Sequence, residues 1–219
     1  MRISFVIDGF NLYGSIVDLE RRQGLKVKWL DVKGLLSSYL YAYGKDASIE
    51  SIHYFTALQH YSTKYDPDCP NHHDPDKVNR HRTYIKCLEN TGVNVHYGRF
   101  KRKWIRCPDC KSSFIKWEEK ETDVSLGIQL FDIAIENAAD TIILVTGDTD
   151  LVPAVKLCQH HFPHKKIGFC FPFNRKQKEL WNLSTVSDIN IKGKQYAKYQ
   201  FTDPYIFSDG KSISKPKSW

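Results

Sequence analysis

Long apolar runs are missing from this 219-residue chain. None exceeds about five residues, far short of the ~20 that a membrane-spanning helix needs. The opening Met1-Arg-Ile-Ser-Phe-Val-Ile meets Asp8 before an apolar core of the ~7–15 residues typical of a secretory signal has formed. Cysteine is scarce: six residues in a chain of this size are too few for a disulfide framework. No internal repeat and no low-complexity segment is found. These absences argue against membrane and secreted classes and lead us to expect a soluble, cytoplasmic protein with reduced thiols. What is present is ordinary globular material, 41% hydrophobic and 13% aromatic, which excludes a disordered chain. Against a domain prior of ~150 residues, one elaborated domain over residues 1–200 with a tail at 201–219 is expected. Lys and Arg outnumber Asp and Glu by 32 to 25, a net charge of +7 that suits a polyanionic partner.

Ile3 to Ile7 is a continuous apolar run ending in Asp8, the pattern of a strand buried on both faces. Thr141 to Thr146 is a second such run, ending in Gly147 and Asp148. Shorter strand patterns lie at Ile49–Leu58, Val93–Tyr97, Lys166–Phe171 and Asp188–Ile191. Helical patterns fill the gaps at Leu12–Arg22, Leu30–Tyr43, from Asp74-Pro75-Asp76 to Gly92, Thr122–Ala138 and Leu151–His160. The fourth carries Val124, Ile128, Phe131, Ile135 and Ala138 at steps of four and three, which predicts an amphipathic face. Strands alternating with helices predict an α/β fold, a three-layer Rossmann-like parallel sheet. Residues 61–73 and 99–117 break the rhythm and read as insertions, and the tail from Thr202 reads as irregular.

In an open parallel sheet, ligands bind beyond the carboxyl ends of the strands. The two most apolar strands finish there in acids: Asp8 after the first, Asp148 and Asp150 after the fourth. Asp123, just past Thr122, the expected N-cap of the striped helix, joins them if that helix begins at the same edge. Singly, each acid reads as a helix cap. Together, with no adjacent Lys or Arg, they would repel one another unless a divalent cation intervened, and oxygen-only donors suit Mg²⁺ or Mn²⁺. Such ions can activate water against a phosphodiester.

Three segments carry a resemblance. Phe5-Val-Ile-Asp8-Gly9-Phe10-Asn11, Glu118-Glu-Lys-Glu-Thr-Asp123-Val124 and Thr146-Gly-Asp148-Thr-Asp150-Leu-Val-Pro153 resemble, in order, the motifs of the NYN domain. This is the PIN-like nuclease group that includes the LabA-like proteins, and the resemblance spans roughly residues 2 to 192. It implies a metal-dependent ribonuclease with a PIN-like fold. Asp8, Asp123, Asp148 and Asp150 match the acidic metal-binding positions, and Asn11 matches the polar residue that orients Asp8 or a phosphate. Among rival readings, a haloacid-dehalogenase-like phosphatase needs a second acid where Phe10 stands. A non-catalytic RNA-binding adaptor would be marked by acid loss, and no matching acid is missing. A DNase ranks below an RNase on the resemblance alone.

Cys107-Pro-Asp-Cys110 is a CxxC knuckle, and Cys69 with His72 or His73 lies in the other irregular segment. Cys69, His72, Cys107 and Cys110 make a Cys₃His set suited to structural Zn²⁺, with His72 favoured over His73. LabA-like sequences often carry a CPxC ahead of the acidic motif, so the resemblance extends here. Around the knuckle cluster Arg99, Lys101, Arg102, Lys103, Trp104 and Arg106, with Lys176 in a second basic group. Cations neutralise phosphates and exposed Trp stacks on unpaired bases, so single-stranded RNA is the expected partner. A protein partner or a second copy of the chain is compatible with the sequence.

Overall fold

The computed structural model describes residues 1–63 and 73–219. Six strands form one parallel sheet in the order β3-β2-β1-β6-β7-β8: β1 (Arg2–Asp8), β2 (Ser48–Thr56), β3 (Asn94–Tyr97), β6 (Thr141–Val145), β7 (Lys166–Phe171) and β8 (Ile189–Asn190). Between β3 and β6 in sequence, β4 (Arg99–Arg106) and β5 (Ser113–Lys120) form a separate antiparallel hairpin with Arg102 opposite Trp117. The helices named below are α1 (Gly9–Gln23), α2 (Val32–Ser37), α3 (Lys77–Asn90), α4 (Thr122–Ile135) and α5 (Val152–His161).

Alternation along β1 builds the layers. Successive strand side chains point to opposite faces, so Ile3, Phe5 and Ile7 enter the core under α1, α2 and α3, and Val6 enters the core under α4 and α5. All four are fully buried, each contributing about 1.5–3 kcal/mol by area. The expected strands and parallel sheet are therefore present, with helices on both faces.

Four expectations are corrected. The helix expected over Leu30–Tyr43 is broken: α2 ends at Ser37 and a single 3₁₀ turn follows at Leu40–Tyr43. There the Ser38 hydroxyl donates to the Leu35 carbonyl at 2.6 Å, competing with the helical ladder. The third helix begins at Lys77 rather than at Asp74, whose carboxylate is taken by Arg80. The segment at 99–117, expected to be irregular, is mostly hairpin, with the Cys107–Cys110 turn at its tip closed by Cys107 N–H donating to Ser112 O at 2.8 Å. The apolar stripe expected on α4 is split: Val124, Ile128 and Ile135 are 64–68% exposed, while Phe131 and Ala138 pack at the edge of the core. Leu126, Leu130, Ile133 and Ala134 face the sheet instead, so α4 is apolar on two sides.

The tail folds back. β9 (Tyr205–Ile206) pairs with β10 (Ser212–Ile213), and the Trp219 ring sits 6.2 Å from Trp29 and 5.8 Å from Tyr84.

Candidate metal centre

Asp8 ends β1 and caps α1, so two local demands fix its carboxylate. The Asn11 N–H donates to its Oδ1 at 2.9 Å, and the Thr146 hydroxyl at the end of β6 donates to its Oδ2 at 3.0 Å. Thr146 Oγ1 in turn accepts from the Asp148 N–H at 3.0 Å, and Asp148 Oδ1 accepts from the Asp150 N–H at 3.0 Å. Asn11 works from its side chain too: its Oδ1 accepts from the Gly147 N–H at 3.0 Å, stapling the β1–α1 turn to the β6 loop. Gly147 is required there, because a Cβ would lie 1.9 Å from the Arg175 carbonyl oxygen.

Asp123, in the first turn of α4, completes the cluster. One carboxylate oxygen from each of Asp8, Asp123 and Asp148 lies within 4.8 Å of the others. Asp150 lies outside this group, although its charge acts on Asp123. The electrostatics follow from burial and crowding. Burial pushes the Asp8 carboxyl up to about 6, partly offset by the bonds from Asn11 and Thr146, with the charges of Asp123 and Asp148 adding to the rise. Asp123 is also raised, first by desolvation, then by Asp148 and Asp150.

One acid escaped sequence reasoning. Glu119 accepts from the Thr122 N–H at 3.1 Å and so caps α4 in place of Thr122, the expected cap. Thr122 is instead the first residue of the helix, with its hydroxyl buried and without a hydrogen-bond partner. Burial, then the charges of Asp123 and Asp8, raise the Glu119 carboxyl. No local pattern in the sequence marks it: the hairpin register places it, opposite Phe100 on the face turned to the domain.

The basic residues divide between two faces of the hairpin. Opposed residues share a face, so Phe100, Arg102, Trp104 and Arg106 go with Trp117 and Ile115, and Arg99, Lys101 and Lys103 go with Lys116, Glu118 and Lys120. The first face docks through Ile115, which is buried, and through rings: Trp117 stacks on Tyr61 at 4.4 Å, and Phe100 meets Phe10 at 5.9 Å. Trp104 reaches beyond the docked part, 58% exposed, with the Arg102 guanidinium 5.4 Å over its ring. On the second face Glu118 is ringed by Lys103, Lys116 and Lys120. Arg99 pairs with Glu121 at 2.6 Å, and Lys176 lies 4.7 Å over the Trp181 ring. Hairpin and β7 loop both leave from the carboxyl edge that holds the acids.

Of the zinc set, Cys69 and His72 lie outside the described residues. Cys107 and Cys110 stand at the hairpin tip. The Cys110 thiol, fully exposed, is lowered to about 7 by hydrogen bonds from Ser112 and then Cys107.

The profile of the NYN domain matches residues 2–188. The chain belongs to the NYN domain family. Two known proteins are similar to it. 6-Hydroxy-3-succinoylpyridine 3-monooxygenase from Pseudomonas putida is 25% identical, the match covering all of this chain and 75% of that protein. The crystal structure of a Vibrio parahaemolyticus protein of unknown function superposes with a TM-score of 0.52 at 16% identity, over 87% of this chain and 93% of that one. The second likeness concerns the fold alone. The NYN family places the chain among PIN-like nucleases, and the acid cluster fits a divalent metal in that setting. No helix among the described residues is long and apolar enough to cross a membrane.

Proposed function

We propose that this NYN protein is a metal-dependent endoribonuclease acting on single-stranded RNA. The observation that carries the reading is the convergence of Asp8, Asp123 and Asp148 within 4.8 Å at the carboxyl edge of the sheet. Three carboxylates so close, one of them buried, repel one another, and a hard divalent cation relieves that repulsion. Asp8, Asp123 and Asp148 would hold Mg²⁺ or Mn²⁺, with Asp150 and Glu119 around them. A bound ion supplies a water acidic enough to attack near neutral pH and neutralises charge on the phosphodiester oxygens.

The chain's own residues do the rest. Thr146 and the Asn11 N–H hold Asp8 in one orientation, so no side-chain entropy is lost when the ion arrives. Asn11 fixes the Gly147 turn and thereby the position of Asp148. Lys101 and Lys103 on the open hairpin face, with Lys176 across the edge, neutralise substrate phosphates, and Trp104 with Arg102 gives a base a ring to stack on.

A second reading has one support, the 25% identity to the Pseudomonas putida monooxygenase over the whole of this chain and 75% of that protein. Non-haem iron oxygenases characteristically bind metal through two histidines and a carboxylate. The acid group contains no histidine among the described residues, which favours hydrolysis over oxygenation.

Labelled single-stranded RNA, and DNA of the same sequence, incubated with Mn²⁺, Mg²⁺ or EDTA test the reading. Cleavage of RNA with metal and none in EDTA is expected. Tight RNA binding with no cutting under any metal would replace the enzyme by a binding module.

The Cys107–Cys110 knuckle extends the reading to a structural zinc completed by Cys69 and His72, the feature that would align the chain with the LabA-like subgroup. Elemental analysis is expected to find about one zinc per chain, with melting lowered by a chelator. A zinc-free protein whose melting ignores chelator would sink this part.

A further inference from the structure

A cavity of about 380 Å³ opens at the carboxyl ends of β1 and β2, on the face of the sheet covered by α1 and α3. It shares Gly9 and Phe10 with the turn that carries Asp8, so it adjoins the metal centre. Contact between the two is close. The Tyr54 ring rests against Gly9, where a Cβ would stand 2.9 Å from its carbons, and the charge of Asp8 acts on the Tyr54 hydroxyl. Neither the acid cluster nor the cationic hairpin uses this space.

Its walls combine rings and cations. Tyr54 and Tyr84 are buried in it, and Trp219 of the folded-back tail closes one side. Lys28, Lys77 and Arg80 face it. Two of these charges are matched within the protein: Lys28 pairs with Glu20 at 2.8 Å, and Arg80 pairs with Asp74. Lys77 is different. Among the described residues it makes no ion pair of its own: Asp74, which lines the same wall, acts on Lys77 by its charge but is bonded to Arg80. The neutral partners are in place as well. His81 bonds to the Thr56 hydroxyl at 3.4 Å, and burial lowers its ring to about 4, so it is uncharged at neutral pH. Gln59, on the same wall, has a buried Oε1 that accepts no hydrogen bond.

Aromatic walls select a flat ring, three cations set against the two carboxylates Glu20 and Asp74 select an anion, and an unused amide oxygen selects an N–H donor. We propose that this cavity is a nucleotide subsite, which takes the base and phosphate of one unstacked nucleotide beside the scissile bond, the phosphate on Lys77. The proposal rests on the ribonuclease reading for its place in catalysis, but binding of a mononucleotide needs no metal and no turnover. A free aromatic acid shares the chemistry of ring plus anion, so the experiment separates the two sources.

Full-length protein in EDTA is titrated with nucleoside 5′-monophosphates, inorganic phosphate and nicotinate, following the fluorescence of the tryptophans, one of which lines the cavity. A mononucleotide is expected to bind well above inorganic phosphate. Lys77→Gln is expected to weaken it about tenfold, the scale of one charge-assisted contact. Lys86→Gln, an exposed change on the same helix outside the cavity, should leave it unchanged. Asp8→Asn, which disables the metal centre, should retain it, so loss of cleavage and loss of binding are read separately. No binding of any mononucleotide, equal affinity in Lys77→Gln, or binding of nicotinate with none of the nucleotides would overturn the assignment.

Discussion

Asp8→Asn is expected to abolish RNA cleavage and, in the absence of metal, to melt at a higher temperature than the wild-type protein. The two effects share one cause. Burial of Asp8 beside Asp123 and Asp148 raises its carboxyl from an ordinary 3.8 to about 6. An acid raised by folding holds its proton more tightly in the folded state than in the unfolded chain. The folded protein is therefore most favoured below the ordinary value, and stability falls as pH climbs from about 4 to about 6 and stays reduced above that. The full difference corresponds to ~3 kcal/mol. Asparagine removes this cost and keeps the bond from the Asn11 N–H, but gives up about 1 kcal/mol where the Thr146 hydroxyl loses its acceptor. The net gain of ~1–2 kcal/mol raises Tm by about 2–6 °C in EDTA at pH 7. At pH 4 the gain should vanish, which thermal melts at both pH values check. Cleavage should fall at least ~10³-fold, the equivalent of several kcal/mol of lost charge stabilisation. A variant that cut normally would remove Asp8 from the site.

Gly147→Ala is expected to damage the site without touching an acid. The added methyl would stand 1.9 Å from the Arg175 carbonyl oxygen and 2.9 Å from its carbonyl carbon and Cβ, all parts of the chain with little room to yield. Either the β6 loop or the β7 loop must move. The first carries Asp148 and the Asn11 staple; the second is anchored by Arg175 to Asp18 at 2.8 Å. A destabilisation of ~1–3 kcal/mol follows from overpacking of this kind. A displacement of about 1 Å at Asp148 should cost cleavage roughly a further 10²-fold. Melting and initial rates measured together check it; a variant with wild-type values for both would contradict the close approach.

These two positions show what the sequence makes legible. Asp8 and Asp148 were readable because each ends an apolar run too continuous to be anything but a central strand, and chain order put both runs' ends at one edge. Asp123 was readable because its helix leads into β6, which fixes the edge where that helix starts. Asp150 carried the same motif signal, yet the turn after Gly147 leaves it outside the group. The α4 stripe misled for a physical reason. Periodicity picks out one apolar face, and α4 has two: Val124, Ile128 and Ile135 lie on the exposed one, while Leu126, Leu130 and Ile133 pack on the sheet. Glu119 and the cavity beside Asp8 were not legible at all. They depend on the hairpin folding onto α1 and on residues from β2, α3 and the tail meeting, contacts that no local pattern encodes.

Binding of a divalent cation by the three carboxylates is measured by titrating Mn²⁺ into wild-type and Asp8→Asn protein and following the free ion by electron paramagnetic resonance. Saturable binding of one or two Mn²⁺ to the wild-type protein is expected, with loss of at least one of them in Asp8→Asn. Equal binding by both proteins, or none by the wild type, would contradict it.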